Sequence, residues 1–410
     1  MVFNLLMFVL LVAFVYFHFL QGAFSALISA VVAFLAACIA LGLHENVVVS
    51  LLGGKMIDYA VSMSMIGLFA LTYLVLRLTI DKLIPGNVRL PVTADRSAAV
   101  IFGIMAGTVT VGILSLAAQA LPTGTYTIDF SRFATKDDRT VAMNLGTGNF
   151  SNEDIAIAGE LESPVAAEET RASMWIPVDS WTLSMVGFQS ESGALAGPTS
   201  FRAIHPDFIA QQALSRTGAE AGQKITTLAT LGGEPRVSLS ETFILTSPLQ
   251  QIEGEIKAIR SRSLDPTVKP TDSQILLVIR LDIDNNEADK DELVRFSPGA
   301  VRLVAGGKDI YPLGTLDGGK VLVANAIDDP IRASHGLIDL VYLVEKADVV
   351  ASEDFAAKQT NFKPDVFVEF RRLGRLSLSD KPSTGSIPGP ESSNVRRKVE
   401  VQKRITDLGL

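Results

Sequence analysis

Apolar residues run almost without interruption through Val2 to Leu20, Ala23 to Leu43, Met56 to Thr79 and Ala98 to Leu121. A helix of about 20 residues crosses the roughly 30 Å of hydrocarbon in a bilayer, so each run predicts a transmembrane helix. Past Pro122 no run of that length occurs, and shorter periods take over. TYTIDFSRF, which leads off the fourth run, sets Tyr126, Ile128 and Phe130 on one face and predicts a strand. Residues 137 to 171 are polar and punctuated by Gly and Asn, an irregular stretch with one short element near Ile155 to Leu161. Asp179 to Phe188 places Trp181, Met185 and Phe188 at helical spacing, and a second short helix is predicted over Asp207 to Arg216, just after Pro206.

From Arg236 the period is that of strands: RVSLSETFIL, QILLVIRLDIDN, VRLVAGGKDIYPL, GLIDLVYLVEK and PDVFVEFRRL, separated by Gly, Pro, Asp and Asn turns. Gly306-Gly307 lies between two short apolar alternations and predicts a hairpin. Several short strands with turns between them predict a β-sandwich. The expected fold class is a membrane α-helical bundle of four transmembrane helices, followed by a soluble α+β region and a C-terminal all-β immunoglobulin-like sandwich. The expected domains are residues 1–122, 123–235 and 236–378, with a flexible tail over 379–410 that is rich in Ser, Pro and Gly up to Asn394 and continues into the basic VRRKVEVQKR.

Composition sharpens this division. The chain as a whole is 48% hydrophobic with a mean hydropathy of +0.32, an average of two unlike parts. Residues 1–122 hold five basic and four acidic residues of the chain's 36 and 44, which leaves 31 basic and 40 acidic residues in the remainder. An acidic soluble part repels nucleic acid and anionic headgroups, so neither is an expected partner. The single cysteine, Cys38, lies in the second apolar run and excludes an intramolecular disulfide.

Met1 to Phe17 is uncharged and apolar throughout, unlike a cleavable signal, and is read as a retained helix. Between the third and fourth runs, IDKLIPGNVRLPVTADRS carries Lys82, Arg89 and Arg96, with Arg77 just before it, whereas the connection between runs two and three has Lys55 alone. The basic loop is therefore expected in the cytoplasm, and both termini and the soluble part outside. Small residues recur every fourth position at Ser25, Ser29, Ala33 and Ala37, and again at Gly103 and Gly107. Such rows allow close helix packing within the bundle or, alternatively, in a homo-oligomer. His18, Lys55, Asp58 and Arg77 all fall near the ends of their runs, where interfacial anchoring satisfies them, although Lys55 and Asp58 share one helical face at i, i+3.

FHFLQGAFSALISAVVAFLAACIAL, a third run ending LFALTYLVLRLTIDKL, and a glycine-rich fourth run resemble the colicin V production (CvpA) family. The resemblance covers about residues 1–122. Gln21, Gly22, Ala23 and Phe24 match a Gly-Phe-like turn after the family's first helix, though a basic residue often found there is missing. The resemblance implies a bacterial inner-membrane protein linked to toxin production or export, biofilm or envelope maintenance. Some proteins with such a four-helix anchor carry an extracytoplasmic trypsin-like serine protease domain, which gives a sharp hypothesis to test.

A serine protease needs a nucleophile loop, a histidine base and a carboxylate. Past the apolar runs only His205 and His335 can serve as base, and neither Gly-Asp-Ser-Gly nor Gly-x-Ser-x-Gly occurs. In DIDNNEADKDE, residues Asp282, Asp284 and Asn286 alternate as at the start of a calcium loop. Glu287 then replaces the required glycine and Leu293 the bidentate glutamate, so an acidic hairpin connection is expected. No phosphate-binding glycine motif is present, and Gly232-Gly233 and Gly318-Gly319 read as turns.

No catalytic, cofactor or metal residues are therefore assigned, and no cofactor is expected. The expected function is a non-enzymatic, multi-pass inner-membrane protein anchoring an extracytoplasmic (periplasmic) interaction domain. Its expected partners are the lipid bilayer and an envelope protein. A transport or secretion component, with the bundle as pathway, is the alternative, and an atypical membrane-anchored serine hydrolase the third.

Overall fold

The computed structural model describes residues 1–52, 59–84, 91–122, 127–133, 171–193, 196–197, 200–215, 230–231, 234–245, 249–253, 267–268, 270–284, 293–317, 320–323, 331–334, 336–354, 359–381 and 383. Lys55, Asp58, Tyr126, Ile155 to Leu161, Asn286, Glu287 and His335 lie outside them, as do Gly232-Gly233, Gly318-Gly319 and the last 27 positions, 384–410.

Four long helices open the chain: α1 (Val2–Gln21), α2 (Ala23–Leu51), α3 (Ala60–Leu83) and α4 (Val92–Gln119). Each is long and apolar enough to cross a membrane. Helices α2 and α4 are the most buried and pack against each other, with α1 against α4 and α3 against α2. Alanines make this possible: Ala26, Ala30, Ala33, Ala37 and Ala40 form a buried row along α2. Gly103 and Gly107 serve the same end on α4, since a Cβ there would stand 3.0 Å from His18 Cβ and 3.3 Å from Phe14 Cβ respectively. Both glycines are therefore used within the bundle, against α1. The turn at Gly22 has φ 93 and receives the Asp95 carboxylate, whose Oδ1 accepts from the Ala23 amide at 2.9 Å. A side chain at 22 would displace that carboxylate.

The two largest shifts from the expected boundaries are in α2 and α4. Helix α2 continues past Leu43 through His44, Glu45 and Asn46, and α4 begins at Val92. Hydropathy falls at both places, but the backbone stays helical because the polar side chains find partners nearby. The strand expected over TYTIDFSRF is corrected by a tight turn. Thr127 and Phe130 exchange backbone hydrogen bonds of 2.8 and 3.0 Å around Ile128, whose φ is 62. The alternation is real but serves otherwise: Phe130 stacks on Phe3 at 5.5 Å, while Asp129 accepts from the Val2 and Phe3 amides at the start of α1. Asp129 is held down to about 2 by hydrogen bonds from the Met1 amino group and then from the Phe3 and Val2 amides.

Compactness does not follow chain order. One unit is Met1–Arg132 together with Ala172–Gln212, and the described residues of the remainder make a second. Among the described residues, α5 (Val178–Ser192), α6 (Phe201–Ile204) and the start of α7 (Phe208–Leu214) follow the long helices in the first unit. The two helices expected after the apolar runs thus form, but residues 172–212 pack with α1–α4.

The second unit is β-rich. Its largest sheet has the spatial order Val237–Leu245, Gln274–Ile283, Gly336–Glu345, Gly314–Asp317, Lys320–Val323, Leu249–Glu253 and Thr267–Val268. All neighbours are antiparallel except Leu249–Glu253 with Lys320–Val323. A four-stranded sheet has the order Gly374–Ser377, Phe367–Phe370, Val301–Ala305 and Lys308–Ile310. Gly306 and Gly307, at φ 57 and 72, make the expected hairpin turn between the last two. One core draws from both sheets: Ile275, Leu277, Ile279, Leu281, Ile338 and Leu340 meet Val301, Leu303, Val368 and Phe370. The period of two sends the alternate residues Leu276, Val278, Val341 and Leu343 to a second cluster with Phe243 and Leu316. That two-sided burial explains why these strands read as nearly continuous apolar runs.

Charges are laddered across strands. Arg280 bridges its register partners Glu241 (3.0 Å) and Asp339 (2.7 Å). Buried Glu369 joins Arg302 (3.1 Å) to Arg375 (2.7 Å), and Arg302 also pairs with Asp309. Burial opposes the charge on Arg302, but Glu369 and Asp309 together raise its pKa above the usual guanidinium range.

Tyr342 is the exception to this pairing: it is fully buried in the shared core and its hydroxyl has no hydrogen-bond partner among the described residues. Burial alone pushes its pKa far above the ordinary 10.0. Tyr342→Phe should raise stability by about 1 kcal/mol, since a buried unsatisfied hydroxyl costs about 1–3 kcal/mol. The folded phenol stays neutral where the unfolded one ionises. The wild-type protein should therefore lose stability as pH rises above about 10, and the variant should lack that component. Denaturant titration at neutral and alkaline pH measures both effects.

Candidate functional site

One end of the bundle gathers a buried polar cluster, and the local sequence explains how. Helix α5 carries Asp179, Thr182, Val186 and Ser190 on one stripe, and all are buried. Thr182 donates to the Thr108 carbonyl at 3.2 Å as well as to its own helix at Val178. This close crossing depends on Gly112, where a Cβ would lie 2.6 Å from the Val178 carbonyl oxygen and 2.9 Å from Thr182 Cβ.

Beside the crossing, the side chains of Arg132 and Asp179 form an ion pair, 5% and 0% exposed. Arg132 also donates to Gln119 Oε1 at 2.9 Å and to the Ala172 carbonyl at 3.1 Å. Gln119 in turn donates to Asp179 Oδ2 at 2.9 Å and to Ser115 Oγ at 3.0 Å, while the Ser180 amide donates to Asp179 Oδ1 at 2.7 Å. The cluster is closed by apolar packing of Phe3, Met7, Leu11, Val111, Phe130, Met174 and Val178. A buried pair so fully hydrogen-bonded fixes geometry. It presents no free nucleophile.

His205 sits a short way along the same end. Its Nδ1 lies 2.7 Å from Gln211 Oε1 and its Nε2 3.2 Å from Glu45 Oε1. Phe201 and Phe208 flank its ring at 5.1 and 5.2 Å, and His44 approaches Phe208 at 5.9 Å. Both nitrogens of this candidate base are thus engaged in tying α6 and α7 to α2. At the opposite end Arg77 donates to the Ser25 carbonyl at 3.1 Å, to Ser25 Oγ at 2.8 Å and to Ser29 Oγ at 3.0 Å, and pairs with Asp81. Arg96 donates to the Phe19 carbonyl.

In the second unit, Asp282 and Asp284 are both exposed near the end of the strand Gln274–Ile283, and Leu293 begins the next strand. Among the described residues no group of three or more His, Cys, Asp or Glu side chains is placed to hold a metal ion.

Sequence reasoning singled out His205 but missed Arg132, Asp179, Gln119 and Glu45. A signal existed for some of them: His44-Glu45-Asn46 and Gln119 each interrupt or end an apolar run with polar residues. Comparison with family models, with curated proteins and with solved structures finds no match to this chain.

Proposed function

We propose that the chain is a multi-pass inner-membrane protein of CvpA-like kind whose four helices anchor a non-enzymatic interaction region in the periplasm. One observation carries this reading: residues 24–43, 60–76 and 97–119 of α2, α3 and α4 contain no charged side chain, while Arg77, Asp81, Asp95 and Arg96 gather at one end and Glu45 at the other. Ionisable groups at depth mark proton relays and many substrate and ion pathways. The Lys82, Arg89 and Arg96 loop favours the cytoplasm for its own end of the bundle, which leaves the β-rich region outside. We read that region as an immunoglobulin-like sandwich, on the ground that two sheets share one core, and sandwiches of this kind commonly serve as interaction modules. An envelope protein is the proposed partner, in toxin production or envelope maintenance.

Purified full-length protein in sealed vesicles tests anchor against pathway. An anchor gives no proton or potassium flux above protein-free vesicles. Flux that is lost in Lys55→Ala or Asp58→Ala would support the pathway instead.

A further inference from the structure

Helix α5 buries polar side chains and turns its largest apolar ones outward. Asp179 and Thr182 face the bundle and Ser190 accepts from the Arg202 amide of α6, whereas the largest apolar side chains face away: Trp181 and Phe188 are 48% and 65% exposed. Trp175, just before the helix, is 55% exposed. The chain has only two tryptophans, and both are here. Water is a poor neighbour for such a surface; the amphipathic indole favours the boundary between headgroups and acyl chains.

The depth of this surface can be counted along the long helices. The Asp95 carboxylate accepts from the Ala23 amide, so these two residues share one level. From residue 23 to residue 44 of α2 is about 32 Å at 1.5 Å per residue, close to the hydrocarbon thickness of about 30 Å. The same rise from Asp95 along α4 ends at Leu116. Helix α5 meets α4 between Thr108 and Gln119, and His205 meets α2 at Glu45, so the whole segment lies astride the level where hydrocarbon ends. The surface is also continuous with the bundle's outer face. The Trp175 amide donates to Asn4 Oδ1 at 3.2 Å, and α1 there exposes Leu5, Phe8 and Val9.

We propose that residues 174–192 lie in the outer bilayer interface, with Trp175, Trp181 and Phe188 in contact with lipid and the Arg132–Asp179 cluster behind them holding the segment to the bundle. This rests on the membrane reading above. The occupant of the surface is the acyl-headgroup boundary of the leaflet that α1–α4 cross.

Tryptophan fluorescence of the full chain in phosphatidylcholine vesicles tests it, using Trp175→Phe and Trp181→Phe to isolate each indole. Lipids brominated near the carbonyl end of the acyl chain should reduce emission roughly twofold, as an interfacial depth of about 5–10 Å implies. Lipids brominated near the methyl end should quench less. Emission that is untouched by bromolipid but quenched by aqueous acrylamide would overturn the proposal, and so would emission insensitive to both, which would place the indoles beneath protein. Flotation of carbonate-washed vesicles separates the two levels of failure: protein that floats with unquenched tryptophans overturns this proposal alone, whereas protein that does not float overturns the membrane reading beneath it.

Discussion

Asp179→Ala should destabilise the first unit by about 3–5 kcal/mol, because it leaves the Arg132 guanidinium buried without its counter-charge. The side chain lost is fully buried and accepts from Arg132, Gln119 and the Ser180 amide. Removing it therefore strands several donors at once, each of which costs more unmade than it contributed when made. Asp179→Asn should recover only part of the loss, since the amide keeps an acceptor oxygen but not the charge. Replacing the pair together, Arg132→Met with Asp179→Leu, should cost far less than either single change. Thermal unfolding in detergent, with protease sensitivity of residues 172–212 as the local readout, distinguishes these outcomes. If the double variant were as unstable as the single ones, shape and not charge would be what the cluster supplies.

Gly112→Ala should cost about 1–3 kcal/mol by overpacking. The added methyl would meet the Val178 carbonyl oxygen at 2.6 Å, a backbone atom with no rotamer to yield, as well as Thr182 Cβ at 2.9 Å. Helix α5 must then lift from α4, which breaks the Thr182 hydrogen bond to Thr108 and strains the Asp179 cluster beside it. Gly67→Ala is the control: it sits in α3 with nothing within 4 Å of the added atom, so it should be neutral or slightly stabilising. Because Gly112 and Asp179 hold the same crossing, their combined effect should fall short of the sum of the two.

The long helices were legible because an apolar run of 20 residues has few other uses. Their ends were not, since polar residues at His44 and Glu45 remain helical once α6 and α7 pack on them. Short apolar runs bounded by turn residues located the strands Val237–Leu245, Gln274–Ile283 and Gly336–Glu345, and the alternation around Gly306-Gly307 located its hairpin. The same alternation misled at Ile128, where two capping and stacking contacts to α1 outweighed strand pairing. Nor does periodicity say which stripe of a helix is inward. Trp181, Met185 and Phe188 announced α5 correctly, yet its buried stripe is the one with Asp179 and Thr182, because the partner surface offers Arg132, Gln119 and the Thr108 carbonyl. Arg132 and Asp179 are 47 positions apart, and nothing local in the sequence pairs them. The parallel neighbours Leu249–Glu253 and Lys320–Val323 are equally illegible, since their pairing depends on strands between them in the chain.

Orientation is the claim on which the proposed function depends. With Cys38→Ser as background, single cysteines at Asp272, exposed in the second unit, and at Val92, exposed at the loop end of α4, can be probed with a membrane-impermeant thiol reagent in intact spheroplasts. The account predicts that Asp272→Cys is labelled at once and Val92→Cys only after permeabilisation. Labelling of Val92→Cys with protection of Asp272→Cys would place the β-rich region in the cytoplasm and contradict it.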